Sequence, residues 1–227
     1  MAVNLENYKQ IISELNKEDV TLIAVSKTKP ASDIQLLYDL GQSDFGENYV
    51  QELIEKQPLL PEDIRWHFIG HLQSNKVKYI APFIHLIHGI DSKSLLKEVS
   101  KQGIKNNKTI DVLLQMHIAQ EETKFGMNEQ ELEEAMSMIG RGELPGIRAK
   151  GLMGMASFTK NIDLVREEFQ RLKKCFDEYA TNIPSISILS MGMSGDYKLA
   201  LEEGSNMVRI GSLLFGERTK KNDETSK

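Results

Sequence analysis

Cysteine is nearly absent from this 227-residue chain. The single Cys175 excludes an intramolecular disulfide framework and a cysteine-based zinc site. Long apolar runs are missing as well, with none approaching the roughly 18 residues a membrane span needs. Positive charge is not in excess: 28 Lys and Arg against 33 Asp and Glu leave a net charge of −5. Such a chain, without a basic stripe, is a poor binder of nucleic acid, whose affinity comes mostly from phosphate neutralisation. The N-terminal MAVNLENYKQ has no charged segment leading into an apolar core, so it does not read as a signal peptide. Ordinary apolar (40%) and charged (27%) fractions then point to a globular, cytoplasmic protein with one domain over 1–218 and a disordered tail over 219–227.

What the sequence does contain is a regular alternation. Short β-branched runs are expected as strands at Thr21–Val25, Ser43–Phe45, Arg65–Ile69, Ile84–His88, Asp111–His117, Arg148–Met153, Ser185–Leu189 and Met207–Ile210. Helical patterns separate them, the clearest over Asn161–Tyr179, where Val165, Phe169, Leu172, Phe176 and Tyr179 share one face. Ser32, Ser92 and Asp196 stand where N-caps belong, and an extra helix over about Asn4–Leu15 precedes the first strand. Strands alternating with helices form a parallel sheet, and eight such units fit a closed (β/α)8 TIM barrel. A doubly wound open sheet would carry a G-x-G-x-x-G turn after an early strand, and none follows Val25.

Chemistry gathers at the strand ends. The first strand delivers Lys27 to the C-terminal rim, where barrel active sites are built. A lysine against an apolar wall can become a Schiff-base nucleophile; the plain alternative is a strand-end lysine reaching into water. After the seventh strand, SMGMSGD places Gly192, Ser194 and Gly195 just before a helix, and Arg209-Ile210-Gly211-Ser212 closes the eighth. Loops at these two positions commonly hold phosphate on this fold, because glycine admits close backbone approach and exposed N–H groups favour an anion. Each turn alone could be ordinary; together with Lys27 they suit a phosphorylated aldehyde.

The segments AVSKTKP, FGENYVQE, WHFIGHLQSNK, GLMGM, SMGMSGD and MVRIGSLLFGER, spread from Leu22 to Arg218, resemble the YggS/PROSC family of pyridoxal 5′-phosphate (PLP) homeostasis proteins. That family is similar in fold to the barrel domain of alanine racemase. The resemblance implies PLP as cofactor, held as an internal aldimine on Lys27. It implies that Ser194, Gly211 and Ser212 hold the phosphate, that Arg209 faces the pyridine nitrogen and that Asn48 lies near the ring, with Met193 and His67 lining the pocket. Arg209 can only donate, so a ring nitrogen opposite it stays unprotonated and PLP is a weaker electron sink. Alanine racemases add a tyrosine from a second domain of the partner subunit. No second base is apparent here, so a non-catalytic PLP carrier serving vitamin B6 and amino-acid homeostasis is expected. The expected partners are PLP itself and recipient apo-enzymes, and a monomer is expected.

Two other classes compete. One is a PLP-dependent racemase, which needs a Tyr or Cys opposite Lys27. The other is a lysine Schiff-base aldolase without PLP, which needs a carboxylate beside Lys27, such as Asp44 or Glu47. His67 and His71, four apart, do not follow a helical H-E-x-x-H pattern and read as satisfied or solvated rather than metal-binding. Cys175 reads as a structural thiol. The loop Glu121–Gly126 resembles a family loop, but Met116-His117 precedes it where valine and asparagine are more usual in the family.

Overall fold

In the computed structural model, residues 3–121 and 123–216 are described. The anticipated tail over 219–227 lies outside them. The chain runs α1 (Leu5–Leu15), β1 (Thr21–Val25), α2 (Ala31–Tyr38), β2 (Asp44–Glu47), α3 (Val50–Lys56), β3 (Arg65–Phe68), α4 (Val77–Ile80), β4 (Leu86–Ile90) and α5 (Lys93–Lys105). It continues β5 (Ile110–Gln115), α6 (Glu129–Gly140), β6 (Ile147–Met153), α7 (Ile162–Asn182), β7 (Ile188–Met193), α8 (Tyr197–Glu202), β8 (Met207–Ile210) and α9 (Ser212–Phe215). The eight strands close in chain order into one parallel barrel, β1 meeting β8 with Thr21 opposite Met207 and Ala24 opposite Ile210. Closure leaves no sheet edge.

Successive strand residues point to opposite faces, and the sequence uses this twice. Outward-facing Phe45, Trp66, Phe68, Ile87 and Val208 pack under the helices in the larger core. The inner face carries a small apolar plug of Ile23, Leu86, Leu113, Met153 and Met207. The rest of the interior is polar: Asp44, His67, His88, Ser190 and Arg209 are all buried.

The helices follow their caps. Ser92 accepts the Leu95 N–H, and Asn128 with Glu131 forms a complete capping box on α6. Asn4 caps α1, and its own N–H donates to Leu214 O at 2.7 Å, tying the N-terminal helix to α9. Two expected caps differ. Helix α2 begins after Pro30, so Ser32 falls inside its first turn. Asp196 does precede α8, but its side chain turns back to accept the Met193 N–H at 2.6 Å.

Four strands are displaced from expectation, β2 among them, since it runs Asp44–Glu47 and not Ser43–Phe45. Strand β4 runs on through Gly89, because that glycine lies against Gly70 O, where a Cβ would come within 2.7 Å. Strand β7 extends through Gly192, which sits at φ +92° beside a register shift between Ser190 and Met193. That is a bulge inside a strand, and its glycine reads in sequence as a loop. Strand β5 stops at Gln115 because Met116 leaves it to bridge to Met127.

Candidate functional site

Seven of the eight anticipated cofactor-binding residues line one cavity of about 400 Å³ at the C-terminal rim: Lys27, Asn48, Met193, Ser194, Arg209, Gly211 and Ser212. Lys29, Ile69, Met155 and Phe158 complete much of its wall. Among the described lining residues there is no carboxylate, tyrosine or cysteine.

Lys27 leaves β1 through a clamped turn. Thr28 adopts φ +64°, a left-handed conformation costly for a β-branched residue. Its N–H donates to Glu52 Oε1 at 2.6 Å, and Lys56 Nζ reaches both Ser26 O at 2.9 Å and Glu52 Oε1 at 2.6 Å. Glu47 joins the same cluster, its Oε1 accepting from Ser26 Oγ at 2.6 Å and Lys56 Nζ at 2.7 Å. Burial holds the Glu47 carboxyl above its usual range despite Lys56. Glu52 and Lys56 carry no sequence signal beyond ordinary helix charge, and they were not anticipated.

The opposite wall is the pair of glycine turns. Gly211 N–H donates to Ser194 Oγ at 3.2 Å, which joins the loops after β7 and β8. A Cβ on Gly211 would come within 3.3 Å of Val25, so the backbone approaches β1 closely there. Around Gly195 there is open space within 4 Å. The first N–H groups of α8 and α9 have no intrahelical acceptor, as at any helix start.

Arg209 rises from β8 with only 4% of its surface exposed. Its Nη1 donates to Ser190 Oγ at 2.7 Å and its Nη2 to Gly154 O at 3.0 Å, which fixes the guanidinium plane. Burial lowers its pKa to about 10, with Asp196 opposing, so it remains a cation at neutral pH. Asn48 is pinned by its neighbour: a Cβ on Gly70 would come within 2.5 Å of Asn48 O. The buried Asn48 Oδ1 has no hydrogen-bond partner among the described residues.

His67 is placed elsewhere. It does not line this cavity but lies in the barrel interior, 1% exposed, with Nε2 2.9 Å from Asp44 Oδ1 and Nδ1 2.9 Å from His88 Nε2. His71 turns away from it to Asp91 at 2.8 Å and stacks on Phe125 at 4.0 Å, so the two histidines do not converge. Ligand atoms of Asp44, His67 and His85 do lie within 4.8 Å of one another. Arg65 donates to both Asp44 oxygens, at 2.7 and 2.5 Å. Those bonds and the one from His67 overcome burial and bring the Asp44 carboxyl down to about 2. Neither Asp44 nor Glu47, the carboxylates the aldolase reading named, is among the described residues lining the Lys27 cavity.

Lys76 ends a short 3-10 turn (Ser74–Lys76) and lines a neighbouring cavity of about 470 Å³ with Tyr49, His71 and Tyr79, sharing Asn48 with the first. The loop after β5 is joined to the loop after β6, Glu121 Oε1 accepting the Phe158 N–H at 2.9 Å. Cys175 packs partly buried against the core.

The residues fit a phosphate-bearing aldehyde. An amine, a fixed cation, two hydroxyls with a glycine cradle and an orphaned amide oxygen face one space. The sequence matches the alanine racemase N-terminal domain family over residues 4–219. A pyridoxal phosphate homeostasis protein of Aquifex aeolicus (strain VF5) is 43% identical over 202 residues, 87% of this chain and 86% of that one. Its counterpart in Escherichia coli (strain K12) is 40% identical over 205 residues, 88% of this chain and 87% of that one. The structure of PipY from Synechococcus elongatus PCC7942 with PLP bound superposes with a TM-score of 0.84 at 32% identity, covering 93% of this chain and 99% of that one. An alanine racemase of Clostridium difficile 630, at 15% identity and TM-score 0.73, shares the fold over 98% of this chain and 59% of its own. The chain belongs to the alanine racemase N-terminal domain family, and within it to the pyridoxal phosphate homeostasis proteins.

Proposed function

We propose that this protein is a PLP carrier of vitamin B6 and amino-acid homeostasis, without efficient catalysis of its own. The observation that carries the reading is the convergence of Lys27, Arg209, Ser194 and Ser212 on one cavity whose described lining offers no carboxylate, tyrosine or cysteine as a second acid or base, its other lysine, Lys29, donating to Phe215 O at 2.6 Å. PLP, when bound, supplies an electrophilic aldehyde and an electron-withdrawing ring. Lys27 holds the aldehyde carbon through Nζ in a Schiff-base link, with water as the leaving group. Ser194, Gly211 and Ser212 take the phosphate through hydroxyls and close backbone. Asn48 and Met193 lie beside the ring.

Arg209 sets what the site does with the cofactor. Two of its five N–H groups are committed to Ser190 and Gly154, and the guanidinium has no acceptor to offer. A ring nitrogen in front of it accepts and stays unprotonated, which weakens carbanion stabilisation. Two-base racemisation also needs a group on each substrate face, and Lys27 supplies one. The cofactor is therefore held rather than used, and released to apo-forms of PLP enzymes by a cytoplasmic monomer.

The test mixes PLP-loaded protein with the apo-form of a PLP-dependent enzyme and follows recovery of that enzyme's activity, with amino-acid α-proton exchange measured in D2O alongside. Recovery with exchange no faster than free PLP supports the carrier. Exchange at catalytic rates would overturn it in favour of a racemase.

A further inference from the structure

The barrel interior contains a continuous chain of side chains leading from the cavity to the opposite end. Arg209 Nη1 donates to Ser190 Oγ (2.7 Å), Ser190 Oγ lies 3.3 Å from His88 Nδ1, His88 Nε2 2.9 Å from His67 Nδ1, and His67 Nε2 2.9 Å from Asp44 Oδ1. All five residues are at most 8% exposed, and they come from β8, β7, β4, β3 and β2.

The Asp44 carboxylate, with both rings neutral, dictates the direction of every link. A guanidinium only donates, so Ser190 Oγ accepts from it, and the hydroxyl proton goes to His88 Nδ1 because the links that follow leave that nitrogen without one. His88, accepting there, carries its proton on Nε2 and gives it to His67 Nδ1. His67 then carries its proton on Nε2 and gives it to Asp44, an ionised carboxylate that only accepts. With both rings neutral, reversing a link among His67, His88 and Ser190 leaves an acceptor facing an acceptor in a buried site, where an unmade bond is costly. Both histidines are neutral in this arrangement. Burial disfavours their charged forms, and Arg209 further opposes a charge on His88.

We propose that Asp44, His67, His88 and Ser190 form a one-way hydrogen-bond chain that orients the Arg209 guanidinium toward the cofactor cavity, making them positioning residues for it. The chain rests on the reading of Arg209 as the cofactor-facing cation. Its far end is held by Arg65, whose paired bonds fix the Asp44 carboxylate, so the site's orientation is anchored across the barrel. The other charged groups facing the histidines are His85, in edge contact with His67 at 5.2 Å, and Asp111, which acts on His85.

The experiment is long-range 1H–15N NMR of the histidine rings at pH 8, on wild type, Ser190→Ala and Asp44→Asn, with PLP titrated into each. In the wild type both His67 and His88 are expected to hold their proton on Nε2. In S190A the His88 Nδ1 resonance should shift as its donor is lost, and PLP should bind roughly three- to tenfold more weakly with Lys27 attachment retained. In D44N the terminal amide can donate as well as accept, so His67 should lose its single tautomer while its fold is checked by the same spectrum. A proton on Nδ1 of either ring in the wild type would overturn the chain. So would an S190A protein whose His88 resonances and PLP affinity match the wild type. Wild type with the stated tautomers but no PLP binding would instead defeat the carrier reading and, with it, the cofactor-facing role given to Arg209.

Discussion

Thr28 stores backbone strain next to Lys27, at φ +64° with its N–H on Glu52. A β-branched residue in that conformation costs roughly 1–3 kcal/mol, and the α3 carboxylate and ammonium hold it there. Removing the anchor by Glu52→Ala is expected to relax the turn and weaken PLP retention more than it lowers the melting temperature. Equal losses in PLP binding and in Tm, measured on the same samples, would show that Glu52 merely stabilises the fold. At this scale the lining of the cavity was legible in part: strand-end chemistry picked out Lys27 and the two glycine turns, and the family resemblance added Asn48, Met193 and Arg209. The position of His67 was not legible. Its partners lie 21 to 23 residues away on neighbouring strands, and only barrel closure turns its ring inward to Asp44 and His88. Ser190 was missed for the same reason: a strand serine shows no sign that an arginine two strand positions before a glycine turn will lean on it.

Among the elements, caps and bulges carry the clearest tests. Ser92 satisfies an orphan N–H of α5, so Ser92→Ala should cost about 1 kcal/mol, whereas exposed Ser32, inside the first turn of α2, should tolerate alanine with almost no change. Denaturant midpoints of the two variants settle it, and equal losses would contradict the cap assignments. Gly192 is the sharper case. At φ +92° a side chain is strained whatever the space, and its Cβ would approach Ala200 Cβ to 2.6 Å. Gly192→Ala is expected to destabilise by roughly 1–3 kcal/mol and to disturb the phosphate loop beyond it. The same glycine explains why β7 was anticipated three residues early: local chemistry reads Gly192 as a turn, while the barrel absorbs it as a bulge. Element type, by contrast, was legible throughout, because β-branched runs and amphipathic stretches alternate without interruption.

For the whole molecule, the buried histidines set a pH dependence. Burial lowers the pKa values of His67 and His88 below 6.5, so in the folded state they stay neutral at pH values where the unfolded chain takes up protons. Stability from this source is fully present above about pH 6.5 and is lost as pH falls below it. Asp44, depressed to about 2, contributes stability that is fully present above about pH 4 and is lost as pH falls from there through about 2. Thermal melts should therefore begin to fall below about pH 6.5, and His88→Asn should flatten that limb. A wild-type Tm constant from pH 8 to pH 5 would contradict the neutral interior. The barrel itself was readable from order and count of elements, since eight alternating units with no dinucleotide fingerprint leave few alternatives. What no sequence pattern displays is the pairing across the barrel, which converts five scattered polar residues into one buried line.

The most direct test of PLP held on Lys27 is the visible absorption spectrum of the purified protein after PLP loading and borohydride reduction, wild type beside Lys27→Ala. A Schiff-base band in the wild type, fixed on reduction as a PLP-sized mass on the peptide containing Lys27 and missing from the variant, is the expected result. An unmodified Lys27 in the wild type, or a band of equal strength in the variant, would contradict the assignment.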